Sequence, residues 1–221
     1  MRDIMVREEY HEELAKLEQM VLNLGEMAGT AIKNSVKALR CHDVEQAKVV
    51  IKGDDEIDDL SAEIETACMR LLALQQPMAR DLRMIGAVIK INLDLERMSD
   101  LAVDIAKIAV AIRDEKHIKP LIDIPRMAQI SCEMVEGGMQ AYTESNSDLA
   151  YETAKRDDEI DALFDQVRRE LITLMVEYPT RITNASHLTF VARYLERIGD
   201  HANNICESVV YMVTGDRVKL N

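Results

Sequence analysis

The sequence predicts an all-α protein built as two tandem three-helix bundles related by internal duplication. Three observations carry that prediction. Glycine (8 residues), proline (4) and phenylalanine (2) are scarce in a chain of 221, and tryptophan is absent. Turns are therefore few, and strands, which favour aromatic and β-branched residues, have little to build on. Apolar residues recur at alternating spacings of three and four, the stripe of a helix that faces a bundle. The chain also repeats itself. Lys52-Gly53-Asp54-Asp55-Glu56-Ile57-Asp58 is answered by Lys155-Arg156-Asp157-Asp158-Glu159-Ile160-Asp161, identical at six of the seven positions, and Leu95-Glu96-Arg97-Met98-Ser99-Asp100 by Leu195-Glu196-Arg197-Ile198-Gly199-Asp200. Two matched motifs in the same order mean duplication.

The first predicted helix carries Leu14, Leu17, Val21, Leu24, Ala28 and Ala31 and runs to about Arg40. Asp43 is a suitable N-cap for the second, because its side chain can accept from a free backbone N–H of the first turn. That helix has the stripe Ile57, Leu60, Ile64, Ala67, Leu71 and Leu74 and is ended by Gln75-Gln76-Pro77. The third carries Val88, Ile91, Leu95, Met98, Ala102, Ile105, Ala109 and Ile112, and the second copy repeats it as Leu188, Val191, Leu195, Ile198, Ala202, Ile205, Val209 and Met212. Between the copies, the weakly patterned stretch from Arg113 to Pro125 holds Lys119-Pro120 and Ile124-Pro125. Proline disfavours helix at the residue before it, so the expected units are 1–115 and 116–221. The 3/4 spacing predicts nearly aligned helices crossing at roughly 20°.

Charge narrows the function. Lys+Arg 27 against Asp+Glu 40 gives a net charge of −13, which repels a polyanion and argues against a nucleic-acid partner. No apolar run approaches the roughly 18 residues of a membrane span. The first nine residues mix charges of both signs and lack the apolar core of a signal peptide. Cys41, Cys68, Cys132 and Cys206 show no metal-knuckle or Cys-x-x-Cys spacing, so buried thiols in a reducing, cytoplasmic compartment are expected.

The two copies also share acids. Asp54 with Asp58, Glu96 with Asp100, Asp157 with Asp161, and Glu196 with Asp200 are all spaced i, i+4, which puts like charges on one helix face at a cost of about 0.2–0.5 kcal/mol per pair. An antiparallel hairpin about Pro77 sets Asp58 level with Glu96 and Asp54 level with Asp100. A hairpin beside Pro179 does the same for the second copy. Four carboxylates so placed must raise their pKa values or hold a cation. All-oxygen sites suit hard or intermediate ions such as magnesium, manganese or iron. The plainer reading is the solvated flank of an acidic bundle; the duplication favours metal. His42, His117, His187 and His201 have no Glu-x-x-His spacing, and His201 is expected to face solvent. Arg97 and Arg197 suit either surface ion pairs or an anion. Asp104 extends the first acidic stripe, and Asn204 takes its place in the second copy.

These motifs, together with Gln76-Pro77-Met78-Ala79-Arg80-Asp81-Leu82-Arg83, resemble the PhoU family over nearly the whole chain. The resemblance implies a cytoplasmic regulator that restrains phosphate uptake and the phosphate-starvation response, acting with the ATPase or membrane components of a Pst-type transporter and with a sensor histidine kinase. It also implies a non-enzymatic protein and metal ions bound at Asp54, Asp58, Glu96, Asp100, Asp157, Asp161, Glu196 and Asp200. Iron is the first candidate, with zinc, manganese, nickel or magnesium as alternatives. A homodimer is the expected assembly. A metal-dependent hydrolase or phosphatase working in the acid grooves is the competing reading, since two-metal chemistry needs such carboxylates.

Overall fold

The computed structural model describes residues 2–75 and 77–220, and the side chains of 10–73 and 77–220. Its helices are α1 (Arg2–Cys41), α2 (Val44–Gln75), α3 (Ala79–Ala111), α4 (Asp123–Glu144), α5 (Ser147–Ala154), α6 (Asp157–Glu177) and α7 (Ile182–Thr214), with a 3₁₀ turn at Pro179–Arg181 before α7. No strand occurs among the described residues.

The predicted stripes become the core. All six stripe residues of α1 and all eight of both α3 and α7 are buried. Along α2, Ile57, Ile64 and Leu71 are buried while Leu60 and Ala67 are only partly covered; the Leu74 side chain lies outside the described residues. This difference reflects position. α1 and α3 are interior, and α2 flanks them from outside. Asp43 caps α2 as expected, its Oδ1 accepting from Gln46 N at 2.9 Å.

α2 and α3 run antiparallel, as the register bonds show: Asn92 Nδ2 donates to Ser61 O (3.1 Å), and further along Ser99 Oγ donates to Asp54 Oδ1 (2.9 Å). The two repeats share one core, because α3 packs along α7 and α1 along α4. Small residues permit it. Ala87, Ala102, Ala106 and Ala109 of α3 and Ala185, Ala192 and Ala202 of α7 are buried, which lets the backbones approach. The segment between the repeats is pinned by side chains. His117 Nε2 lies 3.0 Å from Leu39 O and its ring stacks on His42 at 4.2 Å, while Asn184 accepts from Ile118 N and donates to Glu115.

One element departs from the three-helix reading. The second copy's middle helix is broken at Lys155-Arg156 into α5 and α6, whereas Lys52-Gly53 in the first copy stays inside α2. The cause is packing against α4. A Cβ on Gly137 would stand 2.6 Å from Thr153 Oγ1, so α5 sits closer to α4 than any side chain at 137 allows. A Cβ on the neighbouring Gly138 would stand 3.2 Å from Ile205 Cγ2 of α7. This glycine pair draws α5 in, and the chain must turn to resume along α7. Arg156 at the turn pairs with Glu133, and Asn146 caps α5 through Leu149 N at 3.0 Å.

Candidate metal centres

The first acid cluster lies between α2 and α3. Asp54 accepts the Ser99 hydroxyl, which is itself buried. The Asp54 carboxyl is nonetheless held above the ordinary value by burial and by the charges of Asp58 and Asp100, with the Ser99 bond opposing. Glu96 is raised by burial and by Asp100, Asp58 and Asp54, while Arg97 opposes. The four predicted acids therefore feel one another. Arg97 is a surface counter-ion, bonded to Asp100 at 2.8 Å and lying 3.5 Å from Glu96, a half-exposed pair worth about 0–1 kcal/mol. Asp104 stands aside and pairs with Lys107.

The second cluster, between α6 and α7, is deeper. Asp157 is 3% exposed and Glu196 is 9% exposed, too buried for the solvated flank of the plainer reading. Asp157 Oδ2 accepts from Asn203 Nδ2 at 3.2 Å. Its Oδ1 would lie 2.7 Å from a Cβ on Gly199, so the absence of a side chain there is what lets Asp157 lie against α7. In the first copy the same position is Ser99, which reaches out with a hydroxyl instead. Glu196 Oε1 is bonded by Arg193, but Oε2 is buried without a hydrogen-bond partner among the described residues. Burial, then Asp200, Asp161 and Asp157, push the Glu196 carboxyl up against the opposing Arg193. Asp161 is raised by burial and by Asp200, Asp158 and Asp165.

Duplication thus yields two acid clusters with different surroundings. Arg197, an expected counter-ion, makes no ion pair among the described residues; Arg193, one turn earlier, takes that place. Ser99, Arg193, Asn203 and Gly199 were not singled out as functional in the sequence. Their one signal was the Ser99/Gly199 difference between motifs whose only other change is Met98 to Ile198.

His201 is a correction. Instead of facing solvent, its Nδ1 is 2.9 Å from Asp94 Oδ1 of α3, which also accepts from Asn204 Nδ2 at 3.1 Å. Burial at the α3/α7 seam makes Asp94 need partners, and α7 supplies them.

The donor set is all oxygen, the charge is in excess and a buried oxygen lacks a partner, so the clusters fit a hard cation in chemistry and sign. They are not preassembled. Among the described residues no three His, Cys, Asp or Glu side chains stand as a group that could hold a metal ion, so ligation requires side-chain rotation, beginning with release of Glu196 by Arg193.

Fold and site define a duplicated all-helical protein carrying one carboxylate cluster per repeat. The family is shown by comparison. The PhoU domain model matches residues 21–109 and 124–209, and the chain belongs to the PhoU family. It is 42% identical over 218 residues to the phosphate-specific transport system accessory protein PhoU homolog of Clostridium acetobutylicum, covering 98% of this chain and 100% of that one. It is 42% identical over 207 residues to the homolog of Aquifex aeolicus, covering 94% of each. Among solved structures, PhoU from Pseudomonas aeruginosa superposes with a TM-score of 0.90 at 33% identity, over 94% of this chain and 100% of that one. The phosphate transport system regulatory protein PhoU from Streptococcus pneumoniae gives 0.88 at 31%, over 95% and 99%.

Proposed function

We infer that the protein regulates phosphate uptake as a metal-binding adaptor, restraining a Pst-type transporter and the starvation response rather than catalysing a reaction. The names of its relatives support a role beside a phosphate transporter. The observation that carries the metal reading is the excess of acid over its one arginine counter-ion in each repeat, with Glu96 and Glu196 each raised by burial and by three neighbouring acids. In this reading Asp54, Asp58, Glu96 and Asp100 hold cations in one groove and Asp157, Asp161, Glu196 and Asp200 in the other. Iron is the first candidate, then zinc, manganese, nickel or magnesium. A bound cation supplies local positive charge and open positions for a partner's carboxylate or a phosphate oxygen. The protein works as a cytoplasmic homodimer beside the transporter's ATPase or membrane components and a sensor histidine kinase. No described helix is long and apolar enough to cross a membrane, so contact with the transporter is peripheral.

A hydrolase in the same grooves is the weaker reading, because His201, the imidazole next to Asp200 in sequence, is engaged by Asp94. Elemental analysis after reconstitution with iron, manganese, zinc or nickel decides between adaptor and bare bundle. Metal is expected in both grooves, and Glu96→Ala with Asp100→Ala should remove one site and leave the other. Less than one ion per chain would refute the metal reading, and metal-dependent phosphatase activity would restore the enzyme.

A further inference from the structure

A groove between α1 and α4 carries a row of cations on one wall. α1 and α4 are antiparallel, as Cys132 Sγ against Gly29 O at 3.6 Å and Met139 against Gly25 show. Between them runs a groove of about 420 Å³ with a floor of Val36, Pro125 and Ala128. Its α1 wall is lined by Lys33, Lys37 and Arg40, spaced i, i+4, i+7 and so on one helix face. All three are exposed, and none makes an ion pair or hydrogen bond among the described residues.

Arg40 sits in the last turn of α1, where the helix dipole favours a cation, but the effect fades within a turn and does not reach Lys33. On the α4 wall Glu133 and Glu136 line the same groove toward its Lys33 end; Glu133 is taken by Arg156 and Asp123 by Lys119, so neither is left to pair with Lys37 or Arg40. The result is a row of three cations over an apolar floor, long enough for about two helical turns (~10 Å).

We propose that this groove docks an acidic amphipathic helix of a partner protein, whose carboxylates at matching one-turn spacing meet Lys33, Lys37 and Arg40 while its apolar side chains enter over Val36 and Ala128. Charge complementarity and helix-in-groove geometry select that occupant. The surface is separate from the acid clusters, so its binding does not depend on metal.

The test is fluorescence anisotropy with a labelled helical peptide of about eighteen residues carrying Glu at i, i+4 and i+7 beside a row of Leu. A twin with Lys for Glu serves as control, and the full chain is titrated in the presence of chelator. Saturable binding of the acidic peptide is expected. It should weaken at least about tenfold in K33E/K37E, weaken less in K33Q/K37Q, and be unchanged by Glu96→Ala with Asp100→Ala. Both lysines are exposed, so the variants should keep the wild-type circular dichroism and melting temperature. No binding, equal binding of the basic twin, or undiminished binding to K33E/K37E would overturn the proposal. So would a concentration-dependent dimer, seen by sedimentation, that K33E/K37E abolishes, since a second copy would then be the occupant. Chelator-resistant binding alongside failed metal reconstitution would sink only the metal reading.

Discussion

Replacing Gly199 with alanine should destabilise the protein, while the same replacement at Gly53, beside Asp54 in α2, should stabilise it. Both glycines lie inside helices, where alanine gains about 0.5–1 kcal/mol over glycine from backbone entropy. At Gly53 nothing lies within 4 Å of the added methyl, so that gain stands alone. At Gly199 the methyl would come to 2.7 Å from Asp157 Oδ1 and 2.9 Å from Ile160 Cδ1. Asp157 is 3% exposed and Ile160 fully buried, so neither has free space to yield into. Overpacking of that kind costs about 1–3 kcal/mol, and net of the propensity gain a loss of about 1 kcal/mol remains. The two variants should therefore differ by about 2 kcal/mol, or roughly 4–8 °C in melting temperature at about 2–4 °C per kcal/mol for a chain of this size. Thermal and urea denaturation followed by circular dichroism, with chelator present, would measure both. Equal stabilities, or a more stable G199A, would refute the close approach of α6 to α7 and with it the geometry of the second cluster.

Two further expectations concern protons and thiols. Asp54, Glu96, Asp161 and Glu196 all titrate above their ordinary values of 3.8 and 4.5, so in the window just above those values the folded chain binds more protons than the unfolded one. Stability from these groups must therefore fall as pH rises through their folded pKa values; the metal-free protein should show a higher urea midpoint near pH 5 than at pH 7, and the opposite order would contradict the clustering. Burial holds Cys132 at about 11 and Cys68 and Cys206 at about 12, while Cys41 is exposed. A thiol–disulfide reagent should accordingly label one cysteine quickly in the native protein and all four after denaturation.

Much of the fold was legible because helices announce themselves locally. The stripes from Leu14 to Ala31, Val88 to Ile112 and Leu188 to Met212 were set by periodicity alone and are buried as read. The Asp43 cap needed only its own sequence neighbours. What escaped depended on partners far along the chain. The break at Lys155-Arg156 follows from Gly137 on another helix, and the seating of His201 from Asp94 across the repeat boundary. Cys41, expected among buried thiols, is exposed because it falls at the end of α1, off the stripe.

The candidate site divides the same way. The sequence by itself determined that four acids would recur in each copy at matched heights, since i, i+4 spacing and an antiparallel hairpin leave little freedom. Only the tertiary structure decided that the copies are unequal. Ser99 puts a donor against Asp54, whereas Gly199 lets Asp157 sink against α7, and Arg193 rather than Arg197 guards Glu196. The physical reason is that periodicity fixes which face a residue occupies, while burial, pKa and counter-ion depend on distances of a few tenths of an ångström between helices, which are set by side-chain volumes contributed from the whole chain.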